Sequence, residues 1–120
     1  MSVPPTFTKQ HLSGATRGQP IAVAAVATPG TLIHTDSNTA DHFDEVWLWA
    51  SNVDTVDRVL TLELGGTGLG NEADYAIPAG TTVQVLLGQP MSGGDVIRAY
   101  ADVANDVNVF GYVNRMDQTP

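Results

Sequence analysis

Cysteine is absent from this 120-residue chain. Its absence removes disulfides, zinc–thiolate sites, iron–sulfur clusters and thiol nucleophiles together. Positive charge is nearly as scarce, with 5 Lys+Arg against 13 Asp+Glu and a formal charge of −8. Phosphate backbones are held by clustered Lys and Arg, so no nucleic-acid partner is expected. No apolar run approaches the roughly 18 residues that a membrane-spanning helix needs, and no membrane partner is expected either. The three histidines, His11, His34 and His42, lack H-E-x-x-H spacing, the serines lack G-x-S-x-G, and the sole lysine is Lys9. Two suitably spaced carboxylates can always be found among 13 acids, so a glycosidase-like pair is no signal. No catalytic residue, cofactor or metal ligand emerges, and the chain reads as non-enzymatic.

What is present is a 42% hydrophobic composition at 12.6 kDa, enough for one domain that buries roughly two-thirds of its unfolded surface. Charge divides it. Met1–Gly30 holds Lys9 and Arg17 and no acid, while the remainder sets three arginines against all 13 acids, a formal −10. Pro4, Pro5, Pro20 and Pro29, four of the seven prolines, also fall in the first segment. Proline removes backbone donors and holds its neighbours extended. Residues 1–30 are therefore expected to form an extended N-terminal arm. Ile21–Ala27 (IAVAAVA) is at the bottom of the length a secretory signal requires, and the proline-rich twenty residues before it are unusually long for such a leader, so secretion is not expected. The stretch is either an arm segment docked on apolar surface or the first strand of the domain.

From Thr31 to the C terminus, short apolar stretches alternate with turn residues, as in an all-β domain. Thr31–Thr35, Glu45–Ser51, Arg58–Gly65, Asp74–Ile77, Thr81–Leu87, Val96–Val103 and Val107–Arg115 read as strands. Asn52–Asp57 reads as a hairpin loop, Gly66–Glu72 and Gly88–Asp95 as loops, and Pro78-Ala79-Gly80 as a tight turn. Ala104-Asn105-Asp106 closes a last hairpin. Ala40, Phe43, Val46, Trp47 and Ala50 also fit helical spacing, but β-branched and aromatic enrichment favours a strand. The expected fold is an antiparallel β-sandwich over residues 31–120, immunoglobulin-like or jelly-roll.

Several of these strands are apolar on both faces. Val46, Leu48 and Ala50 oppose Trp47 and Trp49; Val107, Val109 and Val113 oppose Phe110 and Tyr112. A two-sheet sandwich buries one face of each sheet. The surplus face must be covered by the chain itself or by another subunit, since contiguous apolar patches on monomers are small. The rings Trp47 and Trp49 are expected to be mostly buried. The candidate partner-interface residues are Trp47, Trp49, Tyr100, Phe110 and Tyr112, with Ile21, Val23 and Val26 from the N-terminal segment.

Three local patterns invite chemistry. Gly68-Leu69-Gly70-Asn71-Glu72-Ala73 has the letters G-x-G-x-x-A, but a short strand follows where a dinucleotide site needs a helix N-terminus. Asp36, Asn38, Asp41, Asp44 and Glu45, with His42 among them, offer oxygen ligands for calcium, yet the EF-hand order is missing and the stretch reads as a solvated acidic loop. Asp54 and Asp57 read the same way. His34 falls inside a strand and reads as a packed or hydrogen-bonded residue.

The phrases PGTLIHT, DEVWLWASNVDTVDRVLTLELGG and IPAGTTVQVLLGQPMSGGDVIRAYADVANDVNVFGYVNRM, spanning about 85 of the 120 residues, carry a resemblance. They are similar to small structural proteins encoded among the head genes of tailed bacteriophages, and to capsid decoration (cement) proteins in particular. The resemblance implies a β-sandwich-like fold, a place on the head surface of the virion after assembly in the host cytoplasm, and the major capsid protein as partner. It also implies a homo-oligomer, with a trimer the geometry common on capsids. A tail or head–tail junction component and a carbohydrate-binding β-sandwich module are the alternatives, the latter because Trp47, Trp49, Tyr100 and Tyr112 could offer stacking platforms. No catalytic residue is implied.

Overall fold

In a computed structural model, residues 4–118 form nine strands and one short 3₁₀ turn. The strands are β1 (Thr6–His11), β2 (Ile21–Ala22), β3 (Thr31–Thr35), β4 (His42–Asn52), β5 (Arg58–Leu64), β6 (Glu72–Ile77), β7 (Thr82–Met91), β8 (Val96–Ala101) and β9 (Val107–Asp117). One sheet has the order β1-β9-β4-β7, with β2 also on β9, and the other the order β3-β8-β5-β6. Every pairing is antiparallel. Apart from the two-residue β2, successive strands alternate between sheets except at the β5–β6 hairpin. This is the jelly-roll arrangement, in which Greek-key connections wrap one sheet over the other.

Alternation within strands builds the core. Val46, Leu48 and Ala50 of β4, Leu60 and Leu62 of β5, Ile97 and Ala99 of β8, and Val107, Val109 and Val113 of β9 are fully buried between the sheets. Their neighbours of opposite parity on β4 and β9 are half-buried on the other face.

The jelly roll corrects two expected hairpins. The 53–57 and 102–106 segments are of hairpin length, yet each carries the chain from one sheet to the other. Loop length does not distinguish turning back from crossing over; the anchoring contacts do. Asn52 is buried, and its Nδ2 donates to the carbonyls of Val56 and Ile77, both at 2.9 Å. The Asp54 N–H donates to its Oδ1 at 2.9 Å. The expected loop at Gly88–Asp95 is also shorter, because β7 continues to Met91. Gly88 at φ +75° and two register shifts against β4 bend this strand. Pro90 is tolerated because β7 is an edge strand.

The extended N-terminal arm is not evident among the described residues; Met1–Val3 lie outside them. β1 runs the length of the β9 end, from Thr6 opposite Asp117 to His11 opposite Tyr112. Leu12, 1% exposed, and Val23, 0% exposed, belong to the core. The Gly14 N–H donates to the Ile33 carbonyl at 2.9 Å. The 24–30 stretch then folds against the second sheet. There the Ala101 N–H reaches the Ala25 carbonyl at 3.1 Å and the Gly30 N–H donates to Glu63 Oε1 at 2.6 Å. Thr28 Oγ1 donates to the other Glu63 oxygen, so this carboxylate is 1% exposed and satisfied. Proline keeps the segment extended, and extended chain with spaced apolar residues is what a sheet edge takes up. Within Ile21–Ala27 only Ile21–Ala22 is strand, the second in the chain, and the residues after it dock against the second sheet, so each of the two readings holds for part of the stretch.

Candidate functional site

The first candidate is an aromatic band across the outer face of the β1-β9-β4-β7 sheet. Register sets His11, Tyr112, Trp47 and Leu87 side by side in one row, and Phe110, Trp49 and Gln84 in the next. The Trp47–Tyr112 and Trp49–Phe110 ring centroids lie 6.3 and 6.2 Å apart with planes within 16° and 12°. Trp49 also meets Tyr112 diagonally at 6.2 Å. Such cross-strand aromatic pairs each contribute roughly 0.5–1.5 kcal/mol beyond burial.

Polar groups border the band. The Trp47 Nε1–H donates to Glu45 Oε1 at 3.0 Å, and Asn114 Nδ2 to the same oxygen at 3.3 Å. Lys9 Nζ sits 4.7 Å from the Tyr112 ring centroid, within cation–π range. A depression of about 330 Å³ opens between Lys9, Gln10, His11, Gly18, Gly111 and Tyr112. Gly111 is needed here for close approach, since a Cβ at this position would stand 1.9 Å from the Trp47 carbonyl oxygen.

Both tryptophans lose most of their surface, as expected, but neither is fully buried, and each keeps part of its ring on the outer face. Four of the eight candidate interface residues, Trp47, Trp49, Phe110 and Tyr112, thus gather on one face. Tyr100 lies on the other sheet, its hydroxyl donating to Glu72 Oε1 at 2.9 Å. Val23 is in the core and offers no surface; Ile21 is half-buried against the core. Val26, 57% exposed, borders a separate shallow groove with Val59 and Tyr100. Residues 24–30 cover the outer face of the second sheet at Glu63. The two-sided strands β4 and β9 belong to the first sheet, where Lys9 of β1 reaches over Tyr112.

The second candidate is buried and polar. His34, Asp36 and Asp44 are each nearly inaccessible, which corrects the reading of Asp36 and Asp44 as part of a solvated loop. Asp44 lies on the same face of β4 as Val46 and Leu48, and Arg115 on the same face of β9 as Val113. The two therefore meet inside, Arg115 Nε donating to Asp44 Oδ1 at 2.7 Å and Nη2 to Oδ2 at 2.8 Å. The Ser37 N–H also donates to Oδ2 at 3.2 Å, and His34 Nε2 lies 2.7 Å from it. Burial pushes Asp44 up, but its bonds to Arg115 and His34 outweigh that and hold it below the ordinary carboxylate range. The bond to Asp44 in turn raises Arg115.

His34 Nε2 and the carboxylates of Asp36 and Asp44 lie within 4.8 Å of one another, close enough to converge on one cation. The hydrogen bonding argues otherwise. The Ser13 N–H donates to His34 Nδ1 at 3.0 Å, which assigns the lone pair to Nδ1 and the ring proton to Nε2, the atom a metal would need. The Asp44 oxygens are already occupied by Arg115, Ser37 and His34.

The sequence reading missed this group because Asp44 and Arg115 are 71 residues apart. The available signal was parity: the alternation that turns Val46, Leu48 and Ala50 inward continues to Asp44. The G-x-G-x-x-A stretch forms a three-residue 3₁₀ turn, Leu69–Asn71, leading into β6. No protein-family model matches the chain, and no curated protein matches it significantly.

Proposed function

We propose that the protein is a non-enzymatic structural component of a bacteriophage virion, a capsid decoration protein that docks on the head shell through its aromatic band. The observation that carries this reading is the set of four stacked, partly exposed rings on the outer face of one sheet. Aromatic residues are enriched at interface cores, where they bring large contact area at low entropic cost. The resemblance of the β3–β9 stretch to phage head proteins supports the same reading, and so does a fold used by capsid proteins, although fold alone is an analogy. The partner is the major capsid protein, with self-association, as a trimer, at the shell's local symmetry positions. A net charge of −8 suits the outside of the shell, away from packaged DNA.

The test is quantitative mass spectrometry of purified particles, followed by co-sedimentation of the purified protein with shells lacking it. Hundreds of copies per head are expected, with binding lost in Trp47→Ala and Trp49→Ala. Absence from purified heads would overturn the assignment, and about a dozen copies would move the protein to the head–tail junction.

The band also favours a second reading, carbohydrate binding. Near-parallel rings bordered by Glu45, Asn114, Lys9 and His11 combine stacking surface with hydrogen-bonding groups, as sugar faces require. Glycan-array binding by the isolated protein, abolished by Trp47→Ala, would select it.

A further inference from the structure

Asp36 is an anomaly. It is 3% exposed, and neither of its carboxylate oxygens has a hydrogen-bond partner. Buried polar groups are paired in the great majority of cases, so an orphan of this kind calls for an explanation.

The neighbours supply one. Asp44 and Arg115 form a bidentate pair and neutralise each other. His34 is neutral while its Nδ1 accepts the Ser13 N–H, and its Nε2–H is directed to Asp44 at 2.7 Å, with the nearer Asp36 oxygen 3.5 Å away. The charged and titratable groups that act on Asp36 are His34 from β3, Asp44 from β4, Arg115 from β9 and Asp95 from the turn before β8. His42 is turned to Asp117 at 3.3 Å. Arg115 favours the ionised form but is committed to Asp44. An ionised Asp36 would be an uncompensated buried anion beside two other carboxylates, whereas the protonated acid leaves the group neutral overall.

We propose that this group is a proton-operated latch between the two sheets, closed while the Asp36 carboxyl holds its proton and loosened when the proton leaves. The parts it fastens follow from its contacts. His34 belongs to one sheet, Asp44 and Arg115 to the other. Ser13 ties in the segment after β1 through His34 and through its Oγ, which accepts the Thr35 N–H at 2.7 Å. Ser37 ties in the 36–41 crossover. Burial, then the charges of Asp44 and Asp95, push Asp36 up to about 7, against 3.8 ordinarily. Between those values the folded protein keeps a proton that the unfolded chain has released. The unfolding constant therefore rises with pH across this window, by up to about tenfold per pH unit, and levels off above it. The released part is the 36–41 end of the sandwich, while the end pinned by Asn52 stays closed.

The experiment is guanidinium unfolding of the wild type and Asp36→Asn from pH 4.5 to 8, together with a ¹³C carboxyl titration of Asp36 in the folded wild type. Asparagine keeps the shape of the neutral acid and cannot ionise. The ratio of the wild-type unfolding constant to that of Asp36→Asn should grow by at least about 30-fold over this range, and the carboxyl should titrate well above pH 5. Amide exchange in residues 36–41 should quicken with pH, beyond the intrinsic rate, in the wild type only. Parallel stability profiles, or a carboxyl titrating near 4, would overturn the proposal. So would a rise in melting temperature on adding Zn²⁺, Mn²⁺ or Ca²⁺ that Asp36→Asn abolishes, because the carboxylate would then serve a cation and not a proton.

Discussion

Replacing Leu12 with alanine separates a docked N-terminal segment from a free one. Leu12 is 1% exposed within the core. Truncation to alanine removes three carbon groups at about 0.8 kcal/mol each, or about 2.4 kcal/mol of transfer free energy. A cavity term is added to the extent that the site fails to collapse. Here the backbone is pinned on the far side of the side chain: the Gly14 N–H is bonded to Ile33, the Ala15 N–H returns to the Leu12 carbonyl at 3.0 Å, and a Cβ on Gly14 would meet the Leu32 carbonyl at 2.5 Å. Little collapse is open to it, and a total of about 3–4 kcal/mol is expected. With an unfolding entropy of about 0.25 kcal/mol per kelvin for a chain this long, the melting temperature should fall by about 12–16 °C. Phe7→Ala, on the same segment but exposed, is the control and should shift it by no more than a few degrees. Differential scanning calorimetry of the three proteins decides the matter. A Leu12→Ala protein that melts with the wild type would mean that β1 and the residues after it are not part of the folded unit.

Trp49→Ala removes a largely buried ring in contact with Phe110 and Tyr112; a loss of about 2–3 kcal/mol by chemical denaturation is expected, somewhat less than for a fully buried tryptophan. Glu63→Ala leaves the Gly30 N–H without its acceptor, and amide exchange should quicken at Ala25–Gly30 while Leu48 stays protected; unchanged exchange would show that the segment does not depend on Glu63. Asp44→Asn deprives Arg115 of its anion and should cost about 3 kcal/mol at pH 7. Because Asp44 is held below the ordinary carboxylate range, its contribution is present above that range and is lost as pH falls through its lowered value. The gap between variant and wild type should therefore narrow only once the pH falls below the ordinary carboxylate range.

The strands were legible because alternation is a local signal: Leu60 and Leu62 face inward as their spacing requires, and Asn105 takes positive φ as its turn position suggested. Sheet assignment was not, since five-residue connections serve hairpins and sheet crossings alike, and only Asn52 bonding to Val56 and Ile77 fixes the crossing after β4. Proline and low charge in residues 1–30 described an extended chain correctly and its docking wrongly. The weight of Leu12 and Val23 could be judged only with β9 in place beside them. Of the aromatic band, the two strands that carry the rings were readable as two-sided, while the pairing of Trp47 with Tyr112 and Trp49 with Phe110 depends on a register between segments about 60 residues apart.

β9 lies between β4 on one side and β1 and β2 on the other, and of the nine strands it is the last to leave the ribosome. The pair Thr6–Asp117 closes a loop of more than a hundred residues. Until residues 107–117 emerge, β1 and β2 have no partner, and the β4–β7 pair carries Trp47 and Trp49 along an unprotected edge. At roughly 5–20 residues per second this state lasts for seconds of synthesis, and pairings of such sequence separation form slowly even in a finished chain. A ribosome stalled within β9 would therefore hold a chain whose first sheet is in two pieces, with a tryptophan-bearing strand edge open to any neighbouring nascent copy.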